Sequence, residues 1–185
     1  MRRRLISILA AALMAVGTDA RITLSRAGEA PCTSVIFETQ RFTVCTAHPA
    51  RARFALFHAR PDGTRYGSPA AVPSGNLLFA TNAGMFTPEY APAGLYVEDG
   101  VERVPLNTRD GPGNFHLQPN GVFWIAGSKA AVTATADYKA LAPKPDLATQ
   151  SGPMLVIGGK LHPKFDANGQ SRYIRNGIGV RVDGR

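Results

Sequence analysis

The sequence is poor in the residues that build most recognisable sites. It has two cysteines, four histidines and one tryptophan among 185 residues. Structural zinc takes four ligands, and His48, His58, His116 and His162 fall at no ligand spacing, so no metal site is predicted and no cofactor is assigned. A run of Lys and Arg interleaved with aromatics is also missing. Arg51, Arg53, Arg60, Arg65, Arg103, Arg109, Arg172, Arg175 and Arg181 are scattered, which argues against a nucleic-acid partner. No internal repeat and no low-complexity tail is present. Beyond the first 20 residues no apolar run approaches the roughly 20 residues that span a bilayer, so no stable membrane insertion is expected after that point.

What is present begins at the N-terminus. Arg2, Arg3 and Arg4 precede an apolar run from Leu5 to Val16 broken only by Ser7, and Thr18-Asp19-Ala20 ends on a small residue. This is the pattern of a cleaved secretory signal, and it predicts a signal peptide over residues 1–20 and a periplasmic or secreted protein. Removing that segment takes away three Arg and one Asp and leaves 18 basic against 12 acidic residues, a net charge of +6. The excess favours anionic partners without specifying a fold.

Residues 21–185 fit one domain, and an apolar content of 44% supplies a core. Cys32 and Cys45, an even count in an exported chain, flank two short strands around Gln40, and a disulfide is the simplest reading. Metal binding and thiol catalysis compete with it, but each needs partners that the sequence does not supply.

Short apolar runs divided by Gly, Pro and Asn favour strands. Strands are expected at 33–37, 41–46, 53–58, 77–81, 94–98, 121–125, 130–135, 154–157 and 176–182. One helix is expected at 134–142, with Thr135 as cap and Pro143 as stop. Long loops fall at 61–76 and 107–119. After the last strand, Asp183-Gly184 is a hairpin-turn signal with no returning strand behind it.

Four segments join Gly to polar residues at strand ends. In Asn82-Ala83-Gly84, the amide offers donor and acceptor to a hydroxyl or phosphate oxygen, and Gly84 permits close approach. An Asn bonding its own backbone in a turn is the competing reading. Ser151-Gly152-Pro153 offers a hydroxyl and a backbone amide to an anionic oxygen, or is simply a turn. Arg175 and Asn176 precede a Gly-rich apolar strand, where a guanidinium can grip phosphate through two parallel bonds or can stand solvated at the surface. Glu89, Glu98, Asp99, Asp183 and His116 are the candidate acids and bases.

These segments in order, ATNAGMFTPEYAPAGLYVEDG from Ala80, GNFHLQPNGVFWI from Gly113, ATQSGPMLVIGGKLHPKF from Ala148 and IRNGIGVRVDG from Ile174, resemble the bacterial phosphodiester glycosidase family. That family is similar to the N-acetylglucosamine-1-phosphodiester α-N-acetylglucosaminidase, or uncovering enzyme. The resemblance implies an α+β domain with a mixed, curved β-sheet and few helices, hydrolysing a sugar 1-phosphodiester. By matching position, Asn82 and Arg175 become catalytic candidates, and Gly84, Ser151, Gly152 and Asn176 substrate-binding ones. The implied partner is a sugar-phosphate or anionic glycan. Family members continue to a further Leu-Asp-Gly-type segment that this chain lacks, so the resemblance implies a domain incomplete at its C-terminus. A non-catalytic envelope module that binds anionic glycans or a partner protein is the alternative. N-terminal sequencing of protein recovered from the periplasm or medium should begin near Arg21; recovery of intact Met1 there would overturn the signal assignment.

Overall fold

The computed structural model describes residues 31–73, 75–166, 168–170 and 173–184, so the expected signal segment lies outside the described residues. Cys32–Phe37 (β1) and Gln40–Cys45 (β2) form an antiparallel hairpin with Phe37 opposite Gln40, so the turn is Glu38-Thr39 and Gln40 opens the second strand. Glu38 takes a positive φ of 53° there. A Cys32–Cys45 disulfide closes the open end, where the two residues face each other across the ladder.

The main sheet has five strands: Tyr96–Glu98 (β3), Val101–Val104 (β4), Gly121–Ala126 (β5), Lys129–Ala134 (β6) and Leu147–Ser151 (β7), in the order β4-β3-β7-β5-β6. Every ladder in it is antiparallel. Asp99-Gly100 joins β3 to β4 with φ of 50° and 73°, the left-handed pair that suits a two-residue hairpin. Thr135–Leu141 forms the single α-helix among the described residues, α1, and Val156–Ile157 (β8) pairs with Lys160–Leu161 (β9) in a small separate hairpin. The domain is therefore α+β with β dominant. No helix among the described residues is long and apolar enough to cross a membrane.

Strand alternation sorts the sheet into two faces. Across one face run Val97, Ala148, Trp124 and Ala131 in register, and Tyr138 of α1 packs on this row with Leu95 and Val122. Trp124 meets its one polar need by donating Nε1–H to Thr133 Oγ1 at 2.9 Å. The other face carries Tyr96, Thr149 and Phe123, and irregular segments lie against it. His58 sits 5.6 Å from the Tyr96 ring, and Arg53 and Phe54 share a small cavity of about 180 Å³ with Ile125 and Leu147.

Three expected strands form no ladder: 53–58, 77–81 and 176–182. In the first, exposure alternates residue by residue as a strand requires, but no neighbouring strand supplies backbone partners. Periodicity records which side chains face inward, and pairing is a separate requirement. Thr135 is not the helix cap, since Ala134 occupies that position without a side-chain bond. Thr135 is instead buried and accepts a hydrogen bond from Gln150.

Cutting the crosslink with Cys32→Ser and Cys45→Ser releases a loop of separation 13, a loss of about 3 kcal/mol in the chain-entropy model. The hairpin forms its own two-stranded sheet, so the loss should be local. Hydrogen exchange should accelerate over residues 32–45 and stay unchanged in β5 and β7. Equal acceleration in the main sheet would refute this separation.

Candidate functional site

The C-terminal end of β7 gathers the polar motifs. Gln150, 1% exposed, faces the helix side and is bonded in four directions. Its Oε1 accepts from the backbone N–H of Leu95 and of Asn107, both at 3.0 Å. Its Nε2 donates to Asn107 O at 2.8 Å and Thr135 Oγ1 at 3.1 Å. The Gln150 backbone is also committed: its N–H donates to Leu95 O and its carbonyl accepts from Met85 N. One residue therefore holds the loop before β3, the strap after β4 and the start of α1.

Two glycines make room for this convergence. A Cβ at Gly94 would overlap the Gln150 side-chain oxygen and stand 2.6 Å from Phe115 Cζ. A Cβ at Gly152 would overlap the Phe115 carbonyl oxygen and stand 2.7 Å from that of Asn114. Gly84 is needed for conformation as well, with φ at 60° and Thr149 Cβ 3.1 Å from where its own Cβ would be. The strap is pinned further by Asn107 Nδ2 donating to Ala93 O at 2.9 Å and Arg109 N donating to Asn107 Oδ1 at 3.1 Å. His116 Nδ1 donates to Arg109 O at 2.9 Å. Between loop and strap opens a cleft of about 390 Å³ that includes Thr87, Gly94, Asn107 and Arg109 in its walls.

The predicted residues distribute as follows. Gly84, Ser151 and Gly152 come to this one end of β7, with Ser151 on the face that Gly84 covers. Asn82 is exposed two residues upstream of Gly84. Among the described residues neither the Asn82 amide nor the Ser151 hydroxyl forms a hydrogen bond within the protein, so the self-bonded turn reading of Asn82 does not hold. Gly177 lies beside Leu155, which places Arg175 and Asn176 near the chain that leaves Gly152. The Arg175 guanidinium sits over the Tyr173 ring at 5.3 Å, and both Arg175 and Asn176 are exposed.

The acid and base candidates separate by location. Glu98 and Asp99 sit at the opposite end of the sheet, where Gly100 N bonds Asp146 O; four residues of strand put them roughly 13 Å from Ser151. Asp183 lies 3.6 Å from Arg181, and the adjoining Gly184 is near His48. His116 and Glu89 remain on the site's side. The Thr87 hydroxyl, with Arg65 contributing, holds the Glu89 carboxyl below the usual carboxylate range, which suits a hydrogen-bond acceptor and not an acid. Burial pushes the Tyr96 phenol far above its ordinary value, with Glu98 adding to the effect, so it supplies no base.

Gln150 and Asn107 were not singled out from sequence. Gln150 stands in a quoted motif, but a Gln between Thr and Ser reads as loop until β7 is known to be central.

Together these features define a β-dominated α+β domain whose candidate site is built from loops at the end of one central strand. Residues 75–185 match the phosphodiester glycosidase family, and the chain belongs to that family. It is also 35% identical over 144 residues to the uncharacterized protein YigE of Escherichia coli strain K12, a match covering 75% of this chain and 56% of YigE. The chain thus spans a little over half the length of that relative. No solved structure matches it.

Replacing Gln150 with Leu keeps the volume and strips both hydrogen-bonding groups. Three or four buried polar partners are then orphaned at about 1–3 kcal/mol each before relaxation, so denaturant unfolding should show a loss on the order of 3–5 kcal/mol. A loss under about 1 kcal/mol would deny Gln150 its organising role.

Proposed function

We propose that this protein is an exported phosphodiester glycosidase that hydrolyses a sugar 1-phosphodiester at the C-terminal end of β7, acting in the periplasm or medium. The observation that carries the reading is the pair of exposed side chains, Asn82 and Ser151, with no hydrogen bond among the described residues, set beside Gly84 and Gly152, which let neighbouring chain pack closely at this end of β7. Membership of the family supports the reaction class.

The reaction breaks the bond between the anomeric carbon and its phosphate oxygen. Water supplies the new hydroxyl on the sugar, and its remaining proton passes to solvent or to the released phosphate monoester. That leaving group is an anion, so stabilising its charge does much of what protonation does for an alcohol leaving group. Arg175 is assigned to the phosphate through charge-assisted, paired hydrogen bonds. Asn82 and Ser151 orient the substrate, with Asn176 as a further binding group and with Gly84 and Gly152 allowing the chain to pack closely beneath them. The net charge of +6 outside the signal segment favours encounter with such a substrate.

The test is turnover of a sugar 1-phosphodiester followed by release of the phosphate monoester. Arg175→Ala should lose about 1.5–3 kcal/mol of transition-state stabilisation, roughly 10- to 150-fold in kcat/KM, with folding intact. Arg175→Lys should recover only part, because an ammonium cannot form the planar two-pronged contact. An unchanged rate in Arg175→Ala overturns the role of Arg175; binding of the substrate without any turnover by the parent favours a glycan-binding module.

A further inference from the structure

Just after Met85, whose N–H is bonded to Gln150 O, the chain makes a tight excursion and returns. Phe86 and Pro92 form an isolated antiparallel bridge, Ala93 N donates to Met85 O, and Thr87 N donates to Ala91 O. Inside the excursion Tyr90 N donates to Thr87 O, closing a turn with Pro88 at its second position, where a fixed φ is favourable. The turn brings the Phe86 and Tyr90 rings together, 5.8 Å between centroids and 20° between planes. They form the one near-parallel stacked ring pair among the described residues, and they are 50% and 58% exposed.

Two features show that this pair is held in place. Tyr90 has φ of 60°, a region a bulky residue rarely occupies and keeps only when its surroundings enforce it. The enforcement is visible: His58 Nε2–H donates to the Tyr90 carbonyl at 3.2 Å, in addition to the turn bond. The residue between Pro88 and Tyr90 is Glu89, an exposed carboxylate.

We propose that Phe86 and Tyr90 form a stacking subsite for a pyranose ring, with the Glu89 carboxylate accepting hydrogen bonds from the sugar's hydroxyls. The inference rests on the phosphodiester glycosidase reading and names where the sugar binds. A pyranose has a face of partly positive C–H groups and a rim of hydroxyls. The negative face of an aromatic ring complements the first, and an ionised carboxylate, which only accepts, complements the second. A purely apolar partner would leave Glu89 desolvated against it at a cost, which is why a sugar fits this turn better than a lipid or an apolar protein surface. The tether of Met85 to Gln150 sets the subsite next to the Ser151 end of β7, so a ring stacked there extends toward the polar residues assigned to the phosphate side.

The experiment uses three probes on the whole protein: methyl N-acetyl-α-D-glucosaminide, which has the ring and no phosphate; dimethyl phosphate, which has the diester and no ring; and UDP-N-acetylglucosamine, which has both. Saturation-transfer NMR and titration read binding, and Trp124 fluorescence checks folding. The methyl glycoside should bind wild type at millimolar concentration, with transfer strongest at its ring C–H protons. Phe86→Leu and Tyr90→Ala should weaken the glycoside and the nucleotide sugar roughly tenfold, while Tyr90→Phe, which keeps the ring, stays near wild type. Dimethyl phosphate binding should be unchanged in all three. Glycoside affinity unaltered in folded Phe86→Leu and Tyr90→Ala overturns the subsite, as does absence of glycoside binding by wild type even where a phosphodiester is hydrolysed. Self-association abolished by Phe86→Leu, with no sugar binding, reassigns the patch to a second copy of the chain. Glycoside binding with no phosphodiester turnover leaves the subsite standing and removes the hydrolase reading instead.

Discussion

Everything at the candidate site hangs on a single buried amide. Gln150 lies on the central strand of the sheet, and its side chain substitutes for ladder partners that the strand order does not provide to Leu95 and Asn107. A primary amide is suited to this because it accepts twice through one oxygen and donates twice through one nitrogen, and all four capacities are filled here. A carboxylate in the same place would have no donor for Asn107 O or Thr135 Oγ1, and an apolar side chain would leave buried backbone groups unpaired. The glycines follow from the same demand. Gly94 exists because the Gln150 oxygen occupies the space a Cβ would take, and Phe115 closes over both.

The two faces of β7 differ in what they meet. Ala148 and Gln150 look toward α1, where Trp124, Val122 and Tyr138 make the apolar core. Thr149 and Ser151 look the other way, toward the Gly84 turn. The central strand is thus rigid because of one face and carries a polar end on the other, an arrangement that holds functional groups more firmly than a free loop would.

Much of this was legible in the sequence, while β4, β7 and β9 were not expected. The disulfide hairpin, β3, β5, β6, β8 and α1 were all marked by alternation, turn residues or cysteine parity, because each is stabilised by near neighbours in the chain. β7 was missed although it is central, since Leu147-Ala148-Thr149-Gln150 has two polar residues and follows a Pro-rich stretch; its strand character comes from β3 and β5, far away in sequence. Conversely, 53–58 and 176–182 have strand periodicity without partners. The Gly motifs marked Gly84 and Gly152, which the fold brings to one end of β7, because close packing of backbone needs a residue without a Cβ. The four bonds of Gln150 were invisible, because a buried hydrogen-bond network depends on which distant groups need partners.

The loop after Gly84 shows how those two kinds of information combine. Its sequence, with Asn, Gly, two aromatics and two prolines within eleven residues, marked Asn82 and Gly84 as a candidate binding turn and gave the two aromatics no role. Its tether explains more. Met85 N is bonded to Gln150 O, and Ala93 N returns to Met85 O, so both ends of the Phe86–Pro92 excursion are referred to the same residue of β7. Displacing the turn that carries the exposed rings relative to Ser151 would require breaking backbone bonds. A surface built this way is pre-organised: the ordering cost of presenting two aromatic rings and a carboxylate together is met when the chain folds, and a ligand that uses them keeps more of its interaction energy as affinity.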